Sequence, residues 1–239
     1  MKYRLDQHMA QLQLVLTRSQ AESYIKLGKV TVNGQTVTKP GTMVDETAII
    51  KLSATEQYVS RAGLKLASVA QLLHIDFKGK TVLDVGSSTG GFTDYALRHG
   101  AKKVFAIELG TNQLHPALHG DPRIELHEQT DIRNFTTDET IDIVVADVSF
   151  ISLRELLPHI ASLANGQTEI IAMVKPQFEA GQSALKHKGV VKNDRLRRDI
   201  LKDFEVWSRQ HFTIRGQADS EVAGAKGNKE RFYKLRVLS

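Results

Sequence analysis

Leu83-Asp84-Val85-Gly86-Ser87-Ser88-Thr89-Gly90-Gly91-Phe92 is the stretch that decides the fold. An apolar strand over Thr81–Val85 runs into a glycine-rich turn, and the spacing beyond it predicts a helix over Gly91–His99. Glycines at 86 and 90 allow a sharp turn and a close backbone approach to a ligand. Outward from this unit the pattern repeats. Strands are expected at Lys103–Glu108, Ile124–Leu126, Ile141–Ala146, Glu169–Val174, Thr213–Ala218 and Arg231–Leu238, with helices at Leu153–Leu163 and Asp194–Arg209. Strand–helix alternation means an α/β fold with a mostly parallel, doubly wound sheet. Such sheets bind ligands at the carboxyl ends of their strands, beside the switch point of the strand order.

Residues with chemistry to offer stand at those ends. Glu108 ends the second strand, where a carboxylate can accept both ribose hydroxyls of an adenosine ligand, and Asp131 follows the third, within reach of an adenine amino group. The fourth strand ends in Ala146-Asp147-Val148-Ser149-Phe150 and the fifth in Val174-Lys175-Pro176-Gln177-Phe178-Glu179. A lysine directly after Ile170-Ile171-Ala172-Met173-Val174 has to emerge at the rim of the sheet. Two further segments flank the fold: Tyr58-Val59-Ser60-Arg61-Ala62-Gly63-Leu64-Lys65-Leu66 before it, and Gly227-Asn228-Lys229-Glu230-Arg231-Phe232-Tyr233 entering the last strand. A nicotinamide dinucleotide could use the same fold, but its G-x-G-x-x-G fingerprint needs glycine where Ser88 stands.

Residues 1–52 read as a separate small α+β unit. Leu5, Met9 and Leu12 share one helical face, and Thr17-Arg18-Ser19-Gln20 has the form of a capping box opening a second helix that buries Ala21, Tyr24 and Ile25. Gly28 can end that helix, and Asn33-Gly34 between Val30–Val32 and Thr36–Val37 signals a hairpin. A last strand is expected at Ala48–Lys51. Seven Lys/Arg against four Asp/Glu give this first fifth of the chain +3 of the total +5, which suits a phosphate-bearing partner. Residues 53–59 are polar and aperiodic and read as a linker, leaving 60–239 as the second domain. With no cysteine, disulfides and thiolate metal sites are excluded; the nine histidines carry little weight as a zinc site, so no metal is expected. No apolar run is long enough to span a bilayer and Met1–Asp6 lacks a secretory signal, so a cytoplasmic protein with no membrane partner is expected.

Asp84-Val85-Gly86-x-x-x-Gly90-Gly91-Phe92 resembles motif I of class I methyltransferases. The two basic helices and Val-Asn-Gly hairpin resemble the RNA-binding domain of the fourth small-subunit ribosomal protein. Together with the strand-end motifs, the chain resembles the hemolysin-A/TlyA family, which places such a domain before an FtsJ-like, Rossmann-like ribose methyltransferase fold. The resemblance implies a catalytic set of Lys65, Asp147, Lys175 and Glu230, with Glu221 a nearby competitor for the last place. It implies S-adenosyl-L-methionine as cofactor, held by Asp84, Gly86, Ser87, Gly90, Gly91, Phe92, Glu108, Asp131 and Asp147. It implies RNA contacts at Arg4, Arg18, Lys26 and Lys29, and 2′-O-methylation of ribosomal RNA, at cytidines in family members. Lys175 could orient the ribose hydroxyl or take its proton. Any one of these ion-pairing residues alone would be an ordinary surface charge. Two other readings stay in view: a non-catalytic RNA-binding or ribosome-assembly protein that keeps the fold, and the membrane-active protein that the word hemolysin suggests.

Overall fold

Helix α1 (Leu5–Gln11) follows directly on strand β1 (Lys2–Arg4) in the computed structural model, which describes residues 1–54, 57–180, 190–191, 193–224 and 227–238. Leu5 and Met9 are fully buried, whereas Leu12, expected on the same face, lies past the last turn and is half exposed. Gln13 takes a positive φ of 56° there and turns the chain away. Helix α2 (Arg18–Lys26) opens with the expected capping box: Gln20 N–H donates to Thr17 Oγ1 and Thr17 N–H to Gln20 Oε1. Strands β2 (Val30–Val32) and β3 (Gln35–Thr36) meet across Asn33 and Gly34, both at positive φ, as a two-residue hairpin turn requires. The strand expected at 48–51 is displaced to β5 (Ile50–Leu52), which pairs with β2. A second pairing, β1 with β4 (Met43–Asp45), was not foreseen, because three-residue strands carry too little alternation to read.

The segment holding Lys65 forms a helix, α3 (Arg61–Ala70), and leads into β6 (Thr81–Val85). Then follow α4 (Gly91–Arg98), β7 (Lys103–Ile107), β8 (Ile124–His127), β9 (Ile143–Ala146), α5 (Leu153–Leu163) and β10 (Glu169–Val174). A single turn α6 (Pro176–Glu179), the long α7 (Asp194–Ser208), β11 (Phe212–Asp219) and β12 (Arg231–Val237) complete the described elements. The seven-stranded sheet runs β11-β12-β10-β9-β6-β7-β8, parallel from β8 to β10, with β12 antiparallel to both neighbours. Strand order reverses between β6 and β9, so the ligand crevice is expected outside the carboxyl ends of those two strands.

Strand residues alternate between two cores, as a period of two dictates. Val82, Val104, Ile143, Val145, Ile171 and Met173 face one way, and Leu83, Val85, Phe105, Val144, Ile170 and Ala172 the other, toward Leu157, Ile160, Leu201 and Phe204 of α5 and α7. The first core runs without a break through Leu66, Val69 and Phe92 into Leu5, Met9, Ile25 and Val30 of the N-terminal unit. The stretch read as a linker ends inside this body. Tyr58 and Val59 are buried; Gln20 Nε2 donates to the Tyr58 carbonyl at 2.6 Å and Val59 N–H to Asp94 Oδ2 at 2.8 Å. Residues 55 and 56 lie outside the described residues.

Candidate active site

Register places the chemistry. Val85 pairs with Ala146, so Gly86 and Asp147 leave their strands side by side at the switch point. Val174 pairs with Arg231 across the one antiparallel boundary of β10, so Lys175, just past β10, and Glu230, just before β12, emerge at the same sheet edge. Helix α3 packs on α4 above that edge and supplies Lys65. Two buried ion pairs result: Lys65 Nζ to Glu230 Oε2 at 2.6 Å, and Lys175 Nζ to Asp147 Oδ1 at 2.5 Å. All four side chains line one cavity of about 610 Å³. Glu221, the competitor for Glu230, is exposed and lies outside this cavity. The loop closes over Glu230 instead, where a Cβ on Gly224 would collide with its Oε1.

Ser149 was quoted but not assigned from sequence; its hydroxyl accepts a hydrogen bond from Lys175 Nζ at 2.7 Å. Lys175 is thus held by an ion pair to Asp147 and a hydrogen bond to Ser149. Gln177, Asn228, His115 and, from the N-terminal unit, Thr17 and Ser19 line the same cavity. Gln177 and Asn228 stood within quoted motifs, but Thr17 and Ser19 could be placed here only by knowing how the N-terminal unit docks.

A second cavity of about 610 Å³ adjoins the first and shares Gly86, Ser88, Asp147, Ser149 and Phe150 with it. Glu108 and Asp131 line it. Glu108 Oε2 accepts from Ser88 N–H at 2.8 Å and Oε1 from Gly110 N–H at 2.7 Å, which fixes the carboxylate at the end of β7. Asp131 accepts from the guanidinium and backbone N–H of Arg133, and these bonds hold its carboxyl down at about 2.

Between the two cavities lies the glycine turn. Gly86 has φ +79°, and a Cβ there would stand 2.8 Å from the Asp147 carbonyl oxygen; only glycine lets β6 and β9 exit so close together. Gly90 and Gly91, also expected to hold the cofactor, are not among the residues lining these two cavities. The vacant Cβ position of Gly90 faces Leu114 and Leu118, and that of Gly91 faces Ser60 and Ala62 at the start of α3. The missing side chains at both positions let protein pack closely against the turn. Phe92 is buried and lines the cavity that holds the two ion pairs.

Several buried polar atoms lining this cavity, Ser60 Oγ and Gln177 Oε1 among them, have no hydrogen-bond partner among the described residues, and two more flank the glycine turn. Ser87 Oγ and Asp84 Oδ1 are buried and unpaired among the described residues, while Thr93 Oγ1 donates to Asp84 Oδ2 at 2.6 Å. Burial pushes the Asp84 carboxyl up to about 7, against the Thr93 hydrogen bond and with help from the charge of Asp147. Leaving buried acceptors unpaired costs stability, so their survival at one spot marks a place where a ligand completes the bonding. A cation with hydrogen-bond donors fits it.

Of the expected RNA contacts, Arg4 and Arg18 converge on the buried carboxylate of Asp6, while Lys26 and Lys29 are exposed at the other end of α2. The FtsJ-like methyltransferase family matches residues 58–236, three quarters of the chain, and the S4 domain matches residues 4–50. The chain belongs to the FtsJ-like methyltransferase family. Two relatives align over nearly the whole of it. The 16S/23S rRNA (cytidine-2′-O)-methyltransferase TlyA of Mycobacterium tuberculosis is 37% identical over 98% of this chain and 90% of its own length. Hemolysin A of Brachyspira hyodysenteriae is 36% identical over 95% of this chain and 97% of its own. A solved structure of a candidate hemolysin from Streptococcus thermophilus superposes with a TM-score of 0.74 at 34% identity, covering all of this chain and 89% of that one. Among the described residues, no helix is long and apolar enough to cross a membrane.

Proposed function

We propose that the chain methylates a ribose 2′-hydroxyl of ribosomal RNA, at a cytidine, with S-adenosyl-L-methionine as methyl donor. The observation that carries the reading is the meeting of the Lys65–Glu230 and Lys175–Asp147 pairs in one cavity, next to the unpaired Asp84 and Ser87 and the adjoining Glu108 pocket. When bound, the cofactor supplies a methyl group on a positively charged sulfur, which an incoming oxygen displaces. Glu108 and Asp131 suit the ribose and adenine of an adenosine group, and Asp84 and Ser87 suit its charged amino-acid end.

The rest is done by side chains of this chain. Lys175 is held by Asp147 and Ser149, so a remaining N–H can be given to the ribose hydroxyl, fixing that oxygen for in-line attack; as the O–methyl bond forms and the methyl–sulfur bond breaks, the hydroxyl proton is lost to solvent. Asp147 holds that ammonium in place, and its charge also favours a neighbouring cation. Lys65, braced by Glu230, adds a second fixed donor on the same wall. Holding reactants in register can supply a large part of a transfer rate without further chemistry. The N-terminal unit brings Arg4, Arg18, Lys26 and Lys29 to the RNA, and a ribosomal substrate places the reaction in the cytoplasm.

The test is methyl transfer from tritiated S-adenosylmethionine to ribosomal subunits purified from cells lacking this protein. Alkaline digestion of the labelled RNA should leave the label in an alkali-resistant dinucleotide, because a 2′-O-methyl blocks cleavage of the adjoining phosphodiester. Label recovered in mononucleotides would place the methyl on a base and overturn the ribose assignment. Absence of any transfer, with cofactor and RNA both bound, would favour a ribosome-assembly role instead.

A further inference from the structure

Asp6 is completely buried in the first turn of α1, yet it is not paired the way a buried carboxylate usually is. It serves two guanidiniums at once. Arg4 Nε and Nη2 donate to Oδ1 and Oδ2 at 3.1 and 2.9 Å, Arg18 Nε donates to Oδ2 at 2.9 Å, and Gln7 N–H completes Oδ1 at 3.0 Å. Burial pushes the carboxyl up, and the two arginine hydrogen bonds outweigh it and hold it below the ordinary value, so it stays an anion. The arginines themselves remain nearly half exposed, at 42% and 49%. Arg4 is confined on its far side too, since a Cβ on Gly41 would stand 3.1 Å from its Nη1. Arg18 lies between Thr17 and Ser19, which line the cavity of the catalytic lysines.

Left alone, two adjacent guanidiniums would repel and splay into solvent, each free to rotate. Resting on this chain's RNA-binding reading, we propose that Asp6 is a positioning residue for RNA, clamping Arg4 and Arg18 into one preorganised phosphate fork beside the mouth of the catalytic cavity. The carboxylate takes three guanidinium N–H groups; Arg18 Nη2 also lies 3.4 Å from Glu22 Oε1, a partly exposed pair that an incoming phosphate would have to displace. A backbone phosphate gripped there pays little ordering cost, because the arginine side chains are already fixed. Asp6 itself touches no RNA.

Long-range electrostatics and preorganisation predict opposite signs. Neutralising an acidic residue next to two phosphate-binding arginines should tighten RNA binding if charge alone matters; loss of the fork should loosen it. The experiment measures the affinity of the full chain for ribosomal subunits from cells lacking it, alongside melting temperature and cofactor affinity. For Asp6→Asn we expect binding weakened about tenfold with cofactor affinity unchanged. Unchanged or tighter binding overturns the proposal. In an Arg4→Ala/Arg18→Ala background the same change should weaken binding no further; an equal loss there would mean that Asp6 acts through the fold, not through the arginines. If the Arg4→Ala/Arg18→Ala chain binds subunits like the parent, the RNA reading of this face fails and the fork with it, whereas normal weakening there with a silent Asp6→Asn removes the fork alone. Should Asp6→Asn not fold, Arg4→Lys/Arg18→Lys serves in its place. It keeps both charges but cannot share one carboxylate as a planar fork; about tenfold loss supports the proposal and full retention overturns it.

Discussion

Asp84 makes cofactor affinity a function of pH, in a direction opposite to its effect on stability. Its carboxyl is fully buried, which pushes it up to about 7, and Oδ1 has no hydrogen-bond partner among the described residues. A cationic ligand at that spot favours the ionised form, so below pH 7 its binding must expel a proton. The apparent dissociation constant should then rise about tenfold at pH 6 and about a hundredfold at pH 5, relative to pH 8. For the unliganded fold the sign reverses. The folded-state value lies above the unfolded one, so the native state holds the extra proton between about pH 4 and 7, and stability falls as pH rises through that window. The gap corresponds to roughly 4 kcal/mol against the folded state above pH 7. Asp84→Asn should therefore stabilise the unliganded protein at pH 8 while weakening S-adenosylmethionine and flattening its pH profile. Isothermal titration between pH 5 and 7, repeated in two buffers of different protonation enthalpy, counts the released proton directly. The ligand's amino group titrates nearer 8 and stays out of this window. His115 in the same cavity is the competing cause. A slope that survives Asp84→Asn would transfer the effect to it, and a flat wild-type profile would refute the argument altogether.

Four further outcomes follow from the geometry. Lys175→Met should abolish methyl transfer while RNA and cofactor still bind, and Lys175→Arg, which cannot serve as a base, should keep measurable turnover if the role is positioning; normal turnover in the methionine variant would remove Lys175 from the reaction. Lys65→Met leaves Glu230 buried without its partner and should cost about 3–5 kcal/mol, seen as a lower denaturant midpoint that Lys65→Met/Glu230→Met restores. Gly91→Ala forces a methyl group into Ser60 and Ala62, so a loss of about 1–3 kcal/mol is expected, with melting displaced by some 2–4 °C per kcal/mol. Removal of residues 1–52 strips Gln20 from Tyr58 and opens the core shared with Leu66 and Phe92, so the remaining chain should melt earlier, and an unchanged melting temperature would show that the shared core contributes nothing.

How far the sequence could be read depended on the range of the interaction involved. The capping box at Thr17 and Gln20, the Asn33-Gly34 turn and the strands of the parallel sheet are local or periodic, and they stand where the residues put them. The expected strand at Ala48–Lys51 slid to Ile50–Leu52 because pairing with β2 sets its bounds, not propensity. Helix α3 went unread as a helix because Gly63 lies inside it; its apolar face is explained by contact with α4, a tertiary fact. Gly90 and Gly91 show the same limit from the other side. A glycine-rich turn signals close approach, but it does not say whether ligand or protein approaches, and here Leu114, Leu118, Ser60 and Ala62 do.

The tetrad was legible only as four separate residues. Lys175 and Glu230 are 55 positions apart, and what unites them is the direction of one strand. Alternating hydrophobicity is the same whichever way a strand runs, so it cannot announce that β12 is antiparallel. Had β12 run parallel to β10, Glu230 would have stood at the opposite edge of the sheet, some six residues of extended chain from Lys175, about 20 Å away. Reversal instead sets Arg231 opposite Val174 and delivers the carboxylate to the lysine-bearing edge, where it meets Lys65 descending from α3. Register does the same for the other pair, with Ala172 opposite Ala146 bringing Asp147 to the end of the sheet where Lys175 leaves β10. The proposed catalytic set consists of two ion pairs whose members come from four different elements. A change in the register of β12 would break the Lys65–Glu230 pair while leaving Lys175–Asp147, held by the parallel strands, in place.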